Sequence, residues 1–210
     1  RNLNIAVTQT RSGEISTRGY DMKLVQGKTL GVVGIGGIGG QVARLGKAVG
    51  MRVLGMRRTA SGKSAAEQGV DGLYPQSALA EMLAECDFVV LSAPLTAQTE
   101  GLFNASVIGQ MKPGAVLLNV ARGALIDESA LKRALESGHL GGAYLDVYTN
   151  EAFGPPDPDL LAMPNVIMTP HNSGKSDRTH DFSRELFTEN LGRFVAGEPL
   201  SNVMDPASGY

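Results

Sequence analysis

The sequence predicts an α/β protein built on a doubly wound parallel sheet, and two observations support this fold class. Short apolar runs rich in valine and leucine alternate with stretches of helical periodicity along most of the 210 residues. That alternation is typical of successive βαβ units, in which each helix crosses back over a parallel sheet. The second observation is a glycine-rich turn that joins the first apolar run to the first helical stretch.

The glycine-rich turn lies within residues 29–59. Leu30–Val33 is an apolar strand, and the motif G-x-G-x-x-G follows it at Gly34, Gly36 and Gly39. The next apolar residues recur at steps of four, three and four, which places them on one face of a helix: Ile38, Val42, Leu45 and Val49. Gly50 ends this helix, and Met51–Met56 is the second strand. Strand, glycine turn, helix and strand in this order predict a Rossmann-type dinucleotide-binding fold.

Each glycine of the motif has a physical role in that fold. Gly34 allows a tight turn, Gly36 lets the backbone approach a pyrophosphate, and Gly39 lets the helix pack closely on the strand. The helix start at Gly37 and Ile38 offers N–H groups and the positive end of a dipole to the phosphates. A glycine-rich loop without a ligand is the alternative, but the position between a strand and a helix favours the cofactor.

The end of the second strand indicates which dinucleotide is bound. A site specific for NAD usually has an acidic residue there, which binds the ribose 2′-hydroxyl. This chain has Arg57, Arg58 and Thr59 instead, and no acidic residue lies between Asp21 and Glu67. A basic interval suits an extra phosphate, so we expect NADP to be preferred, with NAD possible. The alternative is that both arginines are solvated loop charges.

The remaining elements follow from local patterns. Ser77 is expected to cap a helix that runs through Glu85, and Asp127 to cap a helix that Gly138 closes. Apolar runs predict strands at Asp87–Ser92, Ala115–Val120, Gly142–Tyr148 and Asn165–Thr169. Further helices are expected at Asn104–Gln110 and Arg178–Ala196, whereas residues 1–26 show little periodicity and are expected to form a connector.

Polar residues with useful chemistry follow the predicted strands, where ligands bind in such sheets. His171 follows the last strand and is suited to proton transfer, because the ordinary pKa of histidine is near neutral. Glu151 is the best candidate for a carboxylate partner, and Arg122 has the planar fork that grips a substrate carboxylate. Together they indicate hydride transfer between a nicotinamide and a carbonyl, with Arg122, Glu151 and His171 as catalytic residues.

Composition sets limits on other functions. The net charge of −2 argues against a general nucleic-acid or acidic-membrane binder. Cys86 is the single cysteine, so an internal disulfide is impossible; we expect it in the core of a protein of the reducing cytoplasm. No apolar run is long enough for a membrane span, and no metal site is expected. The chain begins at Arg1 without a methionine, so we expect that an upstream segment has been removed.

Nearly the whole chain resembles the D-isomer-specific 2-hydroxyacid dehydrogenases. The matching segments occur in the family's order: residues 27–31 with 34–39, residues 94–96 with Thr99 and Gly101, residues 119–123 with Asp127 and Leu131, Asp146-Val147 with Glu151, and residues 169–171. The resemblance implies that Arg122 binds substrate, Glu151 pairs with His171, and Asp146 lies near the nicotinamide amide. Arg57, Arg58 and Thr59 are similar to NADP-preferring members such as glyoxylate and hydroxypyruvate reductases.

With the strand-end positions, the resemblance implies a set of dinucleotide contacts: Gly34, Gly36, Gly37, Ile38, Gly39, Arg57, Arg58, Thr59, Ala93, Pro94, Thr99, Val120, Ala121, Arg122, Asp146, His171 and Gly174. It also implies a division of the chain. Residues 1–26 would be a connector from a substrate domain of roughly 100 residues that is absent here, residues 27–177 the NAD(P)-binding domain, and residues 178–210 a terminal helix and tail. That helix would pack on the substrate domain through Phe182, Leu186 and Phe194. A homodimer is expected.

Three positions depart from the family pattern: Ala152 stands where proline is usual, Asn172 where an apolar residue is common, and Glu14-Ile15 where many members have tryptophan. Two other functions remain open. One is a dinucleotide-sensing binding module similar to the family's corepressor relatives, which keep the same triad. The other is formate oxidation, although the family's formate enzymes lack a glutamate at the position of Glu151. The substrate is expected to be a small 2-oxo acid or 2-hydroxy acid of the glyoxylate or hydroxypyruvate type.

Overall fold

The structure, a computed structural model, describes residues 3–14, 22–58, 65, 68–151 and 153–204. Its strands are β1 (Thr29–Val33), β2 (Arg52–Met56), β3 (Gly72–Tyr74), β4 (Phe88–Leu91), β5 (Ala115–Asn119), β6 (Leu140–Leu145) and β7 (Val166–Met168). All pair in parallel in the order β3-β2-β1-β4-β5-β6-β7, so the predicted α/β class is confirmed. The chain reverses its direction of winding between β1 and β4, and ligands bind outside the carboxyl ends of strands at such a reversal.

The helices are α1 (Leu3–Arg11), α2 (Gly37–Ala48), α3 (Leu79–Glu85), α4 (Ala105–Gly109), α5 (Glu128–Glu136), α6 (Pro158–Ala162) and α7 (Thr179–Ala196). The predicted cap of α5 is confirmed, because the Asp127 carboxylate accepts a hydrogen bond from the Ala130 N–H. Asn104 caps α4 in the same way, accepting from the N–H groups of Ser106 and Val107.

The core consists of two apolar clusters, one on each face of the sheet. Successive residues of β1 alternate between them, as the pleat requires: Leu30 and Val32 join the cluster beneath α2, and Val33 joins the cluster beneath α3 and α5. Cys86 is fully buried in the second cluster, and this burial raises the pKa of its thiol to about 12. Its predicted place in the core is confirmed.

Helix α2 forms as expected, and half-buried Val42 packs on the core beneath it, but the other large apolar residues do not face the sheet. Ile38 and Leu45 are 60% and 58% exposed, whereas the face that packs on β1 and β2 consists of Gly39, Ala43 and Gly46. A Cβ on Gly46 would come within 2.7 Å of Leu30 Cδ2, so only a small residue permits this approach. Steric fit at the strand, rather than hydrophobicity, determines which face of α2 is buried.

Two carboxylates anchor the amino ends of the strands. Asp87 accepts a hydrogen bond from the Thr29 N–H at 2.9 Å and one from Lys112 Nζ at 2.8 Å. Asp71 likewise accepts from the Val53 N–H and from Lys47 Nζ, and these bonds, the Lys47 bond first, lower the pKa of Asp71. Burial alone would raise the pKa of Asp87, but its hydrogen bonds outweigh that effect and the pKa is lowered.

The structure corrects the sequence-based predictions at five elements. Helix α1 lies within the stretch expected to be a connector, where valine and threonine lower the intrinsic helix propensity and obscured it. Helix α3 starts at Leu79, after a short 3₁₀ turn, so Ser77 is not its cap. Strand β3 and helix α6 are too short to have given a periodic signal, and β6 starts and ends earlier than expected.

The chain divides into two compact units, the first ending at Thr169 and the second beginning at Pro170. The first contains the sheet and α1 to α6, and the second contains α7. In the second unit Asn190 and Ser201 exchange two hydrogen bonds, so the segment after α7 folds back on that helix. Phe182 and Phe194 of α7 are exposed, and Leu186 is half-buried.

The anchor at Asp87 makes stability depend on pH in a defined way. We expect Asp87→Asn to lower the free energy of unfolding at pH 7 by about 1–2 kcal/mol, because two charge-assisted hydrogen bonds weaken. Since the pKa of Asp87 is depressed on folding, this contribution should be full above about pH 4 and should be lost as pH falls through the lower folded value. Urea unfolding of both proteins from pH 7 to pH 2.5 measures it.

Asp159→Asn is the matched control. Asp159 also pairs with a lysine, Lys132, but its side chain is 69% exposed. Because solvent screens such pairs, this change should cost at most about 0.5 kcal/mol. Equal losses for the two variants would contradict the anchoring role of Asp87.

Candidate active site

The chain turns sharply between β1 and α2, as the glycine motif requires. Gly34 has φ of 98°, a left-handed conformation, and its N–H donates to the Met56 carbonyl at 2.9 Å. A Cβ there would lie 2.7 Å from the Ala93 Cα. The tight turn expected at Gly34 is therefore confirmed, and the loop after β4 leaves no room for a larger residue.

Gly39 brings α2 against that turn. A Cβ on Gly39 would lie 2.0 Å from the Gly34 carbonyl oxygen and 2.7 Å from Ser92 Oγ. Ser92 Oγ donates to the same Gly34 carbonyl at 2.8 Å, which fixes the loop after β4 to the turn. The packing role expected for Gly39 is confirmed, whereas the linking role of Ser92 was not anticipated from the sequence.

The outer side of the same turn is open. A Cβ on Gly36 or Gly37 would meet no atom within 4 Å, and Ile38 is exposed. Gly36 is the N-cap of α2 and supplies no side-chain acceptor to the first N–H groups of the helix. Backbone N–H groups at a twelve-residue helix start, with open space before them, suit a pyrophosphate.

The end of β2 carries the predicted arginines. Arg57 is half-buried; its N–H donates to the Tyr74 carbonyl, and its Nη1 donates to Gln68 Oε1 at 3.0 Å. Arg58 is exposed, and Thr59 lies outside the described residues. Gln68, which holds the Arg57 guanidinium, could not be identified from sequence because the two residues are eleven positions apart.

The loop after β4 is held by its own polar residues. Thr99 Oγ1 donates to the Pro94 carbonyl at 2.7 Å and accepts from the Thr96 N–H at 2.8 Å. Ala93 is buried and Pro94 is exposed at the edge of the sheet. Thr99 therefore closes this loop into a compact turn beside the glycine motif.

The loop after β5 presents Arg122. Asn119, fully buried, accepts from the Ala121 N–H at 3.0 Å and donates to the Arg122 carbonyl at 2.9 Å. The oxygen and the NH₂ group of this one amide thus fix the backbone at Ala121 and Arg122. The Arg122 side chain is exposed at the carboxyl end of the sheet. The sequence places Asn119 in the matching segment 119–123 but does not reveal this positioning role.

The loop of Arg122 is in backbone contact with the segment that carries Glu151. A Cβ on Gly123 would lie 2.1 Å from the Tyr148 carbonyl carbon and 2.5 Å from the Thr149 nitrogen. Glu128, in the first turn of α5, accepts a hydrogen bond from the Thr149 N–H at 2.5 Å. The structure therefore brings two of the predicted catalytic segments together, with glycine required at their crossing point.

Glu151 is half-buried, and its Oε2 is shielded from solvent. It follows Asn150, which has a left-handed backbone with φ of 62°, a conformation that asparagine tolerates better than most residues. Ala152 lies outside the described residues. The turn at Asn150 sets the direction in which the Glu151 side chain leaves the segment.

Asp146 follows β6 and is fully buried. Its N–H donates to the Asn119 carbonyl at 3.0 Å, and its Oδ1 accepts a hydrogen bond from Thr169 Oγ1. Asp146 therefore lies between the end of β5 and the residue that follows β7. Its predicted location at a strand end is confirmed.

His171 lies in the second unit and is exposed. It also has a left-handed backbone, with φ of 49°, which is uncommon for a residue with a Cβ and is found often at functional sites. Gly174 lies in the turn that follows, and a Cβ there would meet nothing within 4 Å.

Three carboxylates with lowered pKa values lie away from these loops, at the amino ends of the strands. Hydrogen bonds from Arg52 and then from the Tyr74 hydroxyl lower the pKa of Glu85, and Asp71 and Asp87 lie at the same amino edge. They are structural ion pairs. In the described part of the chain no cluster of three metal-binding side chains is present, and no helix is long and apolar enough to cross a membrane.

The fold and its strand-end loops define a Rossmann-type dinucleotide-binding domain that carries an arginine and a glutamate on two contacting segments. The NAD binding domain of the D-isomer specific 2-hydroxyacid dehydrogenases matches residues 1–173. The chain belongs to that family, and the resemblance found in its sequence is confirmed.

Individual relatives agree with this assignment. The chain is 40% identical over 190 residues to a glyoxylate reductase of Korarchaeum cryptofilum, covering 89% of this chain and 54% of the relative. It is similar to a solved D-isomer specific 2-hydroxyacid dehydrogenase from Xanthobacter autotrophicus Py2, in complex with NADPH and MES. The TM-score of this comparison is 0.83 at 34% identity, and the match covers 100% of this chain and 83% of the Xanthobacter chain.

A second solved structure is an NADPH-dependent glyoxylate/hydroxypyruvate reductase from Sinorhizobium meliloti, in complex with NADP and sulfate. The TM-score is 0.82 at 31% identity, over 100% of this chain and 65% of that chain. The chain spans about half the length of the curated relatives it matches, as the 54% coverage of the Korarchaeum enzyme illustrates.

The crossing of α2 and the glycine turn can be tested by adding one methyl group. Gly39→Ala places a Cβ against the Gly34 backbone, so we expect the free energy of unfolding to fall by about 2–3 kcal/mol. Dinucleotide binding should weaken with it, because the turn must open. Gly40→Ala is the control, since its Cβ would meet nothing within 4 Å and alanine favours a helix by about 1 kcal/mol. Similar stability of the two variants in urea unfolding would refute the predicted clash.

Proposed function

We propose that this chain is the cofactor-binding part of an NADP(H)-dependent reductase of small 2-oxo acids of the glyoxylate or hydroxypyruvate type. The observation that carries the proposal is the contact between the Arg122 loop and the Glu151 segment at the carboxyl edge of a dinucleotide-binding sheet. The names of the relatives from Korarchaeum and Sinorhizobium support the substrate class.

The cofactor preference rests on the end of β2. Arg57 and Arg58 occupy the position where an NAD-specific site has an acidic residue, and Gln68 holds the Arg57 guanidinium in place. A planar guanidinium suits the 2′-phosphate that distinguishes NADP from NAD. The two solved relatives bind NADPH and NADP, according to their descriptions.

The proposed reaction joins a 2-oxo acid, NADPH and a proton to give a 2-hydroxy acid and NADP⁺. The nicotinamide, when bound, supplies the hydride. Arg122 grips the substrate carboxylate and orients the carbonyl, because its guanidinium forms two parallel hydrogen bonds to a carboxylate. His171 gives its proton to the carbonyl oxygen, and Glu151 favours the protonated imidazole and orients it.

We also propose the division of the chain that the sequence analysis implied. Residues 1–26 connect to a substrate domain, residues 27–177 form the cofactor domain, and residues 178–210 form a helix and tail that pack on the substrate domain. Exposed Phe182 and Phe194 are consistent with such a partner for α7. The protein is proposed to be a homodimer. Its lone cysteine, a buried thiol, supports a reducing compartment, which we propose is the cytoplasm.

The cofactor preference is directly measurable on this chain. NADPH should bind at least about tenfold more tightly than NADH, because a charge-assisted contact to the extra phosphate contributes roughly 1.5–3 kcal/mol. Arg57→Ala should remove most of this difference, and Arg57→Asp with Arg58→Ala should shift preference to NADH. Fluorescence titration of the unaltered chain and of both variants with each cofactor measures the six affinities.

Arg44→Ala is the control for general electrostatics, because it removes one charge from the same basic interval at an exposed position of α2. It should change the affinities for NADPH and NADH equally. Equal or tighter binding of NADH by the unaltered chain would refute the preference for NADP.

The proton-transfer roles are tested in the full-length protein with glyoxylate and hydroxypyruvate. His171→Ala should lower turnover by about 100-fold or more with little change in cofactor affinity, because general acid catalysis contributes that much. Glu151→Gln should move the pH optimum of reduction to lower pH, since the charge that favours the protonated imidazole is lost.

Absorbance loss at the nicotinamide band, followed from pH 5 to pH 9, gives both results. Glu136→Gln, on the exposed side of α5, is the control for removing a carboxylate. A pH profile for Glu151→Gln that matches the control would show that Glu151 is not the partner of His171. Full turnover by His171→Ala would overturn the proposed mechanism.

A further inference from the structure

Three side chains form a hydrogen-bonded chain at the carboxyl ends of β6 and β7. Thr169 Oγ1 lies within hydrogen-bonding distance of Asp146 Oδ1, and Tyr144 Oη lies 2.9 Å from the same Thr169 oxygen. Asp146 is fully buried, whereas Tyr144 and Thr169 are partly buried. The site residues predicted from the sequence include Asp146 but neither of the other two.

The sheet itself places these groups together. Leu145 pairs with Met168 in the register of β6 and β7, and the Thr169 N–H donates to the Leu145 carbonyl at 3.0 Å. Asp146 and Thr169 therefore lie side by side, because each directly follows one residue of a pair at the carboxyl ends of β6 and β7. Tyr144 and Asp146 are two positions apart, which directs both side chains to the same face.

The chain of hydrogen bonds has a direction. A threonine hydroxyl has one proton and two lone pairs, and an ionised carboxylate only accepts. Thr169 therefore donates its single proton to Asp146, and it must accept the proton of the Tyr144 hydroxyl. The series of hydrogen bonds from Tyr144 to Thr169 ends on the Asp146 carboxyl group, and hydrogen bonds in such a series strengthen one another.

We propose that Thr169 and Tyr144 are positioning residues, which orient the Asp146 carboxylate to accept a hydrogen bond from the carboxamide of a bound nicotinamide. This inference rests on the proposed function, because it assigns Asp146 to the nicotinamide end of a dinucleotide. The buried carboxylate is held from the Thr169 side and through its own N–H, which donates to the Asn119 carbonyl. An acceptor with a fixed orientation loses less freedom when the amide binds.

The test compares ligands with and without the nicotinamide, using the 210-residue chain. NADPH is matched with 2′-phosphoadenosine diphosphoribose, and NADH with adenosine diphosphoribose. Thr169→Val keeps the shape and removes the hydroxyl, so dinucleotide affinity should fall about three- to tenfold, the effect of one hydrogen bond. Affinity for the nicotinamide-free ligands should stay within about twofold, because those ligands do not reach Asp146.

Two more variants separate positioning from folding. Thr169→Ser keeps the hydroxyl and should restore dinucleotide affinity, and Tyr144→Phe should weaken it about two- to threefold by removing one donor. Tyr74→Phe is the matched control, since its hydroxyl donates to the Glu85 carboxylate at another edge of the sheet. It should leave all four affinities unchanged.

Each outcome bears on a separate claim. Equal losses for ligands with and without nicotinamide, or no loss in Thr169→Val, would overturn the positioning role. If Thr169→Val does not fold, Tyr144→Phe carries the same comparison: its weaker binding should be confined to the ligands that contain nicotinamide. An unaltered chain that binds neither NADPH nor NADH would refute the proposed function, and the positioning role with it. A preference for NADH would refute only the cofactor choice, since the NADH pair still tests Asp146.

Discussion

Backbone contact at the end of β1 is the constraint on which the rest of the structure depends. Gly34, Gly39 and the Ser92-Ala93 segment meet within van der Waals limits that exclude any Cβ on the two glycines. This contact fixes the start of α2 and the loop after β4 with respect to the first strand. The space in front of Gly36 is open because Gly34, Gly39 and the Ser92-Ala93 segment pack against one another on the other side of the turn.

Polar groups at the amino ends and at the carboxyl ends of the strands have different roles. At the amino ends of the strands, Asp71 accepts from the Val53 N–H of β2 and Asp87 accepts from the Thr29 N–H of β1. Both carboxylates also pair with lysines, so charge there serves stability. At the carboxyl edge, Asn119 and Thr169 hold backbone and carboxylate groups in place. The lowered pKa values of Asp71 and Asp87 thus accompany a structural role, whereas the candidate site has buried polar groups that fix its loops.

The parallel sheet could be predicted from the sequence, because valine- and leucine-rich strands separated by helices leave few alternatives to a parallel arrangement. It also identified the turn at Gly34, since the glycine requirement there is local. The buried face of α2 was not predictable from hydrophobicity, because Gly39, Ala43 and Gly46 are selected by the distance to β1.

The roles of Gln68 and Asn119 were also beyond the sequence. Gln68 contacts Arg57 only when β3 lies beside β2, and such tertiary contacts leave no periodic signal. In the sequence, Asn119 is simply the polar residue that ends an apolar strand. Its two hydrogen bonds to the following loop depend on the path of the backbone, which only the fold shows. Local rules therefore placed the candidate site residues at the ends of strands, but the groups that hold those segments became visible only in the fold.

The contact at Gly123 couples the loop of Arg122 to the segment of Glu151, so that the two move together. The backbone at Tyr148 and Thr149 rests on Gly123, and Glu128 fastens the Thr149 N–H from the helix that follows. Neither loop can change length or path without displacing the other. Exchange of these two loops between family members would therefore have to move residues 119–128 and 146–151 as one block, and insertions would have to lie outside both.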